Sequence, residues 1–286
     1  MNRIRSYYNL TKPGIIMGNT ISNVAGFALA AQSNLDISVF LAAVVGLALI
    51  IASACVFNNI IDRDIDSKMK RTKKRGTVTG EIPVVNALAY GAVLGVTGVA
   101  LLWLFTTIVA TAVALIGFVM YVVVYGYAKR KSSIGTIVGS IAGAVPPVVG
   151  YTAVTNRMDA AAWILFYILV FWQMPHFYAI AMYRLKEYKA ARIPVLPAVK
   201  GMASTKITIL LYIFAFACTA PLLSVFDYTG ISYFVVAVLL GSYWLWIAIT
   251  GYRKLPDEIW AKRLFGFSLV VLTVLCIMIS IERVFP

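Results

Sequence analysis

The sequence predicts an all-α fold: a polytopic membrane protein built as a bundle of nine transmembrane helices. Three observations predict it. Of the 286 residues 61% are apolar and only 13% charged, against about 45–50% and about 25% in ordinary soluble chains. The mean hydropathy is +0.87, and the excess lies in long runs. A run of about 20 apolar residues is the length a helix needs to cross a bilayer. Lastly, Lys and Arg crowd into alternate connections between those runs.

The runs are 14–32, 39–58, 84–104, 107–127, 134–154, 162–182, 207–226, 231–250 and 265–283. The first follows Arg3, Arg5 and Lys12. No small-residue cleavage site follows a short apolar core there, so it reads as a spanning helix and no cleavable signal peptide is expected. The second ends in a polar stretch. The third and fourth are separated only by residues 105–106, which makes them an antiparallel pair. The sixth contains Pro175, which removes a backbone donor inside the helix. Residues 1–286 read as a single integral membrane domain. Three isolated cysteines, Cys55, Cys218 and Cys276, show neither metal spacing nor pairing and are expected as buried small hydrophobes.

The charge distribution gives the orientation. The N-terminus carries three Lys or Arg, loop 59–83 seven, loop 128–133 three, loop 183–206 six and loop 251–264 four, so that only Arg157 and Arg283 of the 25 fall on the other side. The positive-inside rule puts these loops and the N-terminus in the cytoplasm and, with nine spans, the C-terminus outside. The net charge of +14 is thereby a topology signal and a contact for anionic lipid, not a sign of nucleic-acid binding.

Function has to come from particular residues. The second run leads into Cys55-Val-Phe-Asn58-Asn-Ile-Ile-Asp62-Arg-Asp64-Ile-Asp66. If the helix continues, each step of four turns about 40° and rises about 6 Å. Asn58, Asp62 and Asp66 then share one stripe, and Asp64 points away. Two carboxylates and an amide suit Mg²⁺, which takes one or two carboxylates together with water and substrate phosphates. A polar residue at the depth of Asn58 is costly unless it works. A basic run follows, including Arg71, Lys74 and Arg75. Such donors beside a metal are what a diphosphate needs in order to bind and leave. Lys129-Arg130-Lys131 ends the fourth run, either as a second clamp or as a topology anchor.

The sixth run ends in Trp172-Gln173-Met174-Pro175-His176-Phe177-Tyr178, with the chain's single histidine. Trp172, Gln173, His176, Tyr183 and Glu187 would make an aromatic, partly polar cavity for a large flat ligand. His176 reads equally as a packing residue. The two polar run ends, each followed by a long loop, suggest two related halves around one cavity.

These residues resemble a known family. Asn58-x₃-Asp62-x₃-Asp66 is similar to the first signature of the intramembrane aromatic prenyltransferase superfamily. Thr11-Lys-Pro-Gly-Ile, Cys55 to Asp66 with Arg71 to Arg75, Gly143-Ala-Val-Pro-Pro-Val-Val-Gly150, and Trp172 to Phe177 with Ile193-Pro-Val-Leu-Pro197 resemble, more narrowly, the haem O synthase family (protohaem IX farnesyltransferases). The resemblance implies a nine-helix bundle with a lateral tunnel, placed in a bacterial-type inner (cytoplasmic) membrane. It implies transfer of farnesyl from farnesyl diphosphate to a vinyl group of haem B, giving haem O and diphosphate for respiratory oxidases. Haem-handling or oxidase-assembly proteins are then expected partners. Asn58, Asp62 and Asp66 would hold diphosphate through Mg²⁺, and Lys129 and Arg130 match a basic pair that contacts it. Quinone-type members carry a second Asp-x₃-Asp motif after the sixth span, where this chain keeps only Glu187. A prenyltransferase of quinone precursors is the alternative, and a transporter of an anionic metabolite is the alternative from another class.

Overall fold

The computed structural model describes residues 3–32 and 34–284, the side chains of 283 and 284 excepted; the described residues are helical with no strand. Among them, nine helices are long and apolar enough to cross a membrane: α1 (Pro13–Ala31), α2 (Ile37–Ile61), α3 (Val84–Phe105), α4 (Ile108–Lys131), α5 (Gly135–Thr155), α6 (Ala160–Tyr183), α7 (Gly201–Val225), α8 (Ile231–Gly251) and α9 (Asp257–Glu282). Arg283, counted in the orientation, has its side chain outside the described set.

At the sparsely charged end, all four even-numbered helices start on a cap. Each helix start leaves N–H groups without an intrahelical partner, and a short oxygen-bearing side chain supplies one. Asp36 accepts from Ser38 and Val39 N–H at 2.8 and 3.2 Å. Thr107 accepts from Ala110 N–H at 3.1 Å and Asp159 from Ala162 N–H at 3.3 Å. For α8 the cap comes from α9, where Glu282 accepts from Gly230 and Tyr233 N–H at 2.8 and 2.7 Å. Asp36, Asp159 and Glu282 at this end therefore have structural work, and the three closely spaced acids of 62–66 lie at the basic end.

Two helices begin earlier than the apolar runs suggest. Charged residues in their first two turns hide them from hydropathy. In α9, Trp260, Ala261 and Leu264 are buried while Glu258, Lys262 and Arg263 stay outside, with Glu258 and Lys262 paired at 2.6 Å. In α7, Lys206 is buried because Asp257 pairs with it at 3.0 Å and the Tyr252 carbonyl accepts from it. α5 is interrupted at Ala144, because Pro146 and Pro147 have no N–H to continue the ladder. α6 runs through Pro175 unbroken. Cys55 and Cys276 are buried, but Cys218 is exposed, against expectation.

Lipid offers no hydrophobic drive between apolar helices, so close approach comes from small residues. The tightest crossing joins α1 and α5. A Cβ on Gly26 would fall 1.9 Å from the Pro147 carbonyl oxygen, and one on Gly150 2.0 Å from that of Asn23. Asn23, buried beside them, donates to the Ala43 carbonyl of α2 at 3.0 Å. One core lies among α1 to α5, around Phe27, Leu47, Leu102 and Val149. A larger one joins α6 to α9 with α1 and α5, around Trp172, Phe216, Tyr233 and Trp244. The residues of α1 before Ser22 all keep accessible surface, so α1 stands free of close packing towards the basic end.

Candidate active site

The basic end brings together parts of α1, α2, α4 and the segments after α2 and α6. Those two segments touch through Ile65 and Met69 on one side and Tyr188, Ala191 and Ile193 on the other. This contact places the loop carrying Arg71 and Arg75 beside the short helix Leu185–Ala190.

The continuous helix expected through Asp66 is not quite what forms. α2 ends at Ile61, Asp62 takes φ −90° and ψ 7°, and a single turn, Arg63–Asp66, follows. The hydrogen bonds nonetheless keep helical spacing, with Asp62 N–H on the Asn58 carbonyl at 2.9 Å and Asp66 N–H on that of Asp62 at 2.8 Å. Asn58, Asp62 and Asp66 therefore stand on successive turns, and all three are buried.

Each meets a cation from a different place. Lys12, just before α1, donates to Asn58 Oδ1 at 2.7 Å. Lys129 of α4 pairs with Asp62, and Arg75 pairs with Asp66. Thr72 donates to the Asp66 carbonyl at 2.9 Å and shapes the loop that carries Arg75. Asp64 points outward as expected. Arg130 grips it through both Nη atoms at 2.7 Å and also donates to the Ile61 carbonyl at 2.7 Å, reaching Asp62 only at 3.5 Å. That hydrogen-bonded fork holds the Asp64 carboxyl down at about 2. Arg130 thus fastens the end of α4 to the end of α2. Arg71 and Lys74 are exposed; Arg71 lies close enough to Tyr125 and Tyr188 for its charge to act on both. Burial raises the Tyr188 hydroxyl above its ordinary range, with Arg71 opposing.

Three buried atoms in this region have no hydrogen-bond partner among the described residues, Asn58 Nδ2, Asn59 Oδ1 and Glu187 Oε2. Buried polar atoms are nearly always satisfied, so an exception calls for an explanation, and a bound ligand or ion is one. Among the described residues no three His, Cys, Asp or Glu are placed to hold a metal by themselves. An ion here would need ligands from its substrate.

Composition and spacing did not single out Lys12, Tyr121 and Tyr125. Lys12 was one of several N-terminal positive charges; its left-handed backbone, φ 54°, turns it towards Asn58. Tyr121 and Tyr125 lie in a π-helical stretch of α4, Met120–Tyr125, a distortion common at functional sites. Their rings stack at 5.5 Å, Tyr121 reaches Cys55, and Lys129 lies 4.9 Å from the Tyr125 ring. Tyrosines in an apolar run look like packing until the π turn is seen.

The second set of candidates does not form one cluster. Trp172, His176 and Tyr183 gather with Phe265 where α6 meets α9: His176 stacks on Trp172 at 5.0 Å and meets Phe265 at 4.7 Å with the rings tilted by 39°, and Tyr183 lies 5.8 Å from Phe265. Gln173 turns the other way and donates to the Ser140 carbonyl of α5 at 3.3 Å and to Leu169 at 3.1 Å. Glu187 sits on the short helix beyond α6, 3.9 Å from Arg184.

With this geometry in place, similarity to known proteins identifies the family. The profile of the UbiA prenyltransferase family matches residues 20–271. The chain belongs to the UbiA prenyltransferase family. It is 50% identical over 285 residues to "Protoheme IX farnesyltransferase" of Pectobacterium carotovorum subsp. carotovorum (strain PC1), covering 99% of this chain and 96% of that one. A solved structure concerning digeranylgeranylglyceryl phosphate synthase in membranes shares the fold with a TM-score of 0.82 at 18% identity, covering 99% of each chain. A UbiA homolog from Archaeoglobus fulgidus bound to GPP and Mg²⁺ superposes with a TM-score of 0.73 at 13% identity, over 96% of this chain and 99% of that one. As a UbiA family member the chain is a prenyl-transferring membrane enzyme, which sets aside the transporter reading.

Proposed function

We propose that this chain farnesylates haem B: farnesyl diphosphate, haem B and one water give haem O and diphosphate, and residues 1–286 form one catalytic domain for the task. The observation that carries the reading is a pair of buried carboxylates ringed by Lys12, Arg75 and Lys129. It stands in a chain half identical, over its length, to a relative bearing that activity's name. The absence of a second Asp-x₃-Asp motif after α6 favours haem over a quinone precursor. The basic end faces the cytoplasm of a bacterial-type inner membrane, with the N-terminus inside and the C-terminus outside. Haem-handling or oxidase-assembly proteins would deliver haem B and remove the product.

The donor set fits magnesium: hard carboxylate oxygens from Asp62 and Asp66 on successive turns, the Asn58 amide oxygen beside them, and an orphaned buried amide nitrogen that a phosphate oxygen would satisfy. When bound, Mg²⁺ would neutralise the diphosphate oxygens and so ease their departure. Lys129, Arg75 and Lys12 act on the same charge. In the free protein they balance Asp62, Asp66 and the Asn58 oxygen; with substrate present they donate to the diphosphate as its bond to farnesyl C1 breaks. Arg71 and Lys74 supply outer positive charge, and Arg130 holds the frame. The stacked faces of Tyr121 and Tyr125 offer π density to the allylic cation. The haem vinyl group attacks that cation, and water adds to the resulting carbon to leave a hydroxyl. Trp172, His176 and Tyr183 line the haem's place, while Gln173 ties α6 to α5 through the Ser140 carbonyl and Glu187 stands on the short helix beyond α6. Partly open α1 is the entry for both lipid-soluble substrates.

The test is the pigment content of membranes with and without the protein. Haem O is expected only where the chain is present with intact Asp62 and Asp66. Unchanged haem B, beside a newly prenylated quinone precursor, would assign the alternative.

Lys12 gives this site a pH dependence. Burial lowers its ammonium from the ordinary 10.5 to about 8; Arg75 and Lys129 push the same way, and Cys55 and Asp62 oppose. The folded state holds this proton less tightly than the unfolded chain, so the contribution of Lys12 to stability is smallest below about pH 8 and rises towards 10.5. Diphosphate binding works in the opposite sense, because it needs the charge. Affinity for Mg²⁺–diphosphate is expected to fall as pH rises through about 8, and Lys12→Arg, which stays charged, to flatten that fall. Calorimetric titration between pH 6.5 and 9.5, roughly the range spanning this shift, reads both.

A further inference from the structure

Resting on the reading that haem B is the acceptor, we infer that Ser268 is a positioning residue: it fixes the ring of His176 so that Nε2 presents its lone pair to the haem iron. Ser268 lies on α9 near the start of the apolar run 265–283 and is fully buried. Its Oγ donates to the Phe265 carbonyl at 2.6 Å. A hydroxyl has one proton, and a carbonyl can only accept, so that proton is committed. The same Oγ lies 2.8 Å from His176 Nδ1. With its proton engaged, Oγ can only accept there, and Nδ1 must carry the hydrogen. In the neutral ring the lone pair then belongs to Nε2.

Nε2 has no hydrogen-bond partner among the described residues and is not among the sealed, unpartnered polar atoms. The imidazole is clamped on its faces by Trp172 and Phe265, with ring centroids at 5.0 and 4.7 Å. Trp172 is fixed in turn, because its Nε1 donates to the Ser268 carbonyl at 2.7 Å. Ser268 therefore holds the ring through its side chain and the ring's neighbour through its backbone. A histidine oriented at one nitrogen by an oxygen acceptor, with the other nitrogen free, is the arrangement that metal-binding histidines use. Trp172, Phe265 and Tyr183 would supply the apolar aromatic contacts around a porphyrin held there.

The test is haem B titration of the purified protein in lipid nanodiscs, read by Soret absorption and by the iron–histidine stretch in resonance Raman of the ferrous form. The wild type is expected to show a histidine-ligated haem and His176→Ala to lose that signature. Ser268→Ala deletes Oγ but keeps the backbone carbonyl under Trp172. It is expected to weaken haem binding about 10–100-fold and to lower the stretching frequency. Ser268→Thr and Ser268→Val have the same shape; only Thr restores the band, whereas a packing defect would strike both alike. Wild-type affinity and frequency in Ser268→Ala, or equal behaviour of Thr and Val, overturns the inference. So does farnesylated haem from a wild type with no histidine signature, and in that case the acceptor reading stands. A wild type that neither binds nor farnesylates haem B removes the acceptor reading itself.

Discussion

Asp62→Asn is expected to cut haem O formation by about 10²–10³-fold or more, with the protein still folded. The substitution keeps shape and removes one charge. Asp62 is buried, and its carboxylate is the main partner of Lys129. Without it, the proposed Mg²⁺ site would lack a charged ligand, and of the negative charges acting on the Lys129 ammonium that of Asp66 would remain. Asp66→Asn is expected to act similarly, because Arg75 depends on Asp66 as Lys129 depends on Asp62. Asp64→Asn is the control. Its side chain is 59% exposed, it points off the stripe, and its partner Arg130 also holds the Ile61 carbonyl. A small loss, within about threefold, is expected for it, since exposed pairs contribute about 1 kcal/mol or less. Initial rates of haem O formation at saturating substrates separate the three. Equal losses at Asp64 and Asp62 would mean that charge at this end matters and the stripe does not.

Gly150→Val is expected to remove folded protein, and Gly26→Val likewise. The nearest atom that a Cβ meets at either place is a backbone carbonyl oxygen of the facing helix, at 2.0 and 1.9 Å. Side-chain rotation cannot relieve that overlap, so α1 and α5 must separate. The cost exceeds the usual ~1–3 kcal/mol of overpacking. Separation also pulls Asn23 from the Ala43 carbonyl and loosens the start of α1, where Lys12 is held. Gly14→Ala and Gly18→Ala are the comparison, since an added Cβ at either meets nothing within 4 Å, and alanine is the better helix former by about 1 kcal/mol. Thermal unfolding in detergent should show loss of the folded fraction for the first pair and no loss for the second.

The helices were legible in the sequence because a span must be long and apolar, and the basic connections declared the end at which they gather. The first turns of α7 and α9 were not, because Lys206 and the Glu258–Lys262 pair mask helical turns in any hydropathy reading. The stripe of Asn58, Asp62 and Asp66 was legible from spacing alone, since steps of four survive even the break at Asp62. The partners of the stripe were half legible. Lys129 and Arg75 lie in conspicuous basic runs, but nothing local distinguishes Arg130, which fastens two helix ends, from Lys129, which meets the buried acid. Lys12 and Ser268 could not be read at all, for each gains its meaning from a helix far along the chain. Gln173 and His176 sit three residues apart and were expected to share a cavity; α6 turns them to α5 and α9 respectively.

The most direct measurement of the central claim is reconstitution: the purified chain in nanodiscs with Mg²⁺, farnesyl diphosphate and haem B, followed by mass spectrometry of the extracted pigment and assay of released diphosphate. The account predicts a haem bearing one hydroxyethylfarnesyl group, one diphosphate released for each, and loss of both products with Asp62→Asn. Diphosphate release with haem B recovered unchanged, or haem farnesylation undiminished in Asp62→Asn, would contradict it.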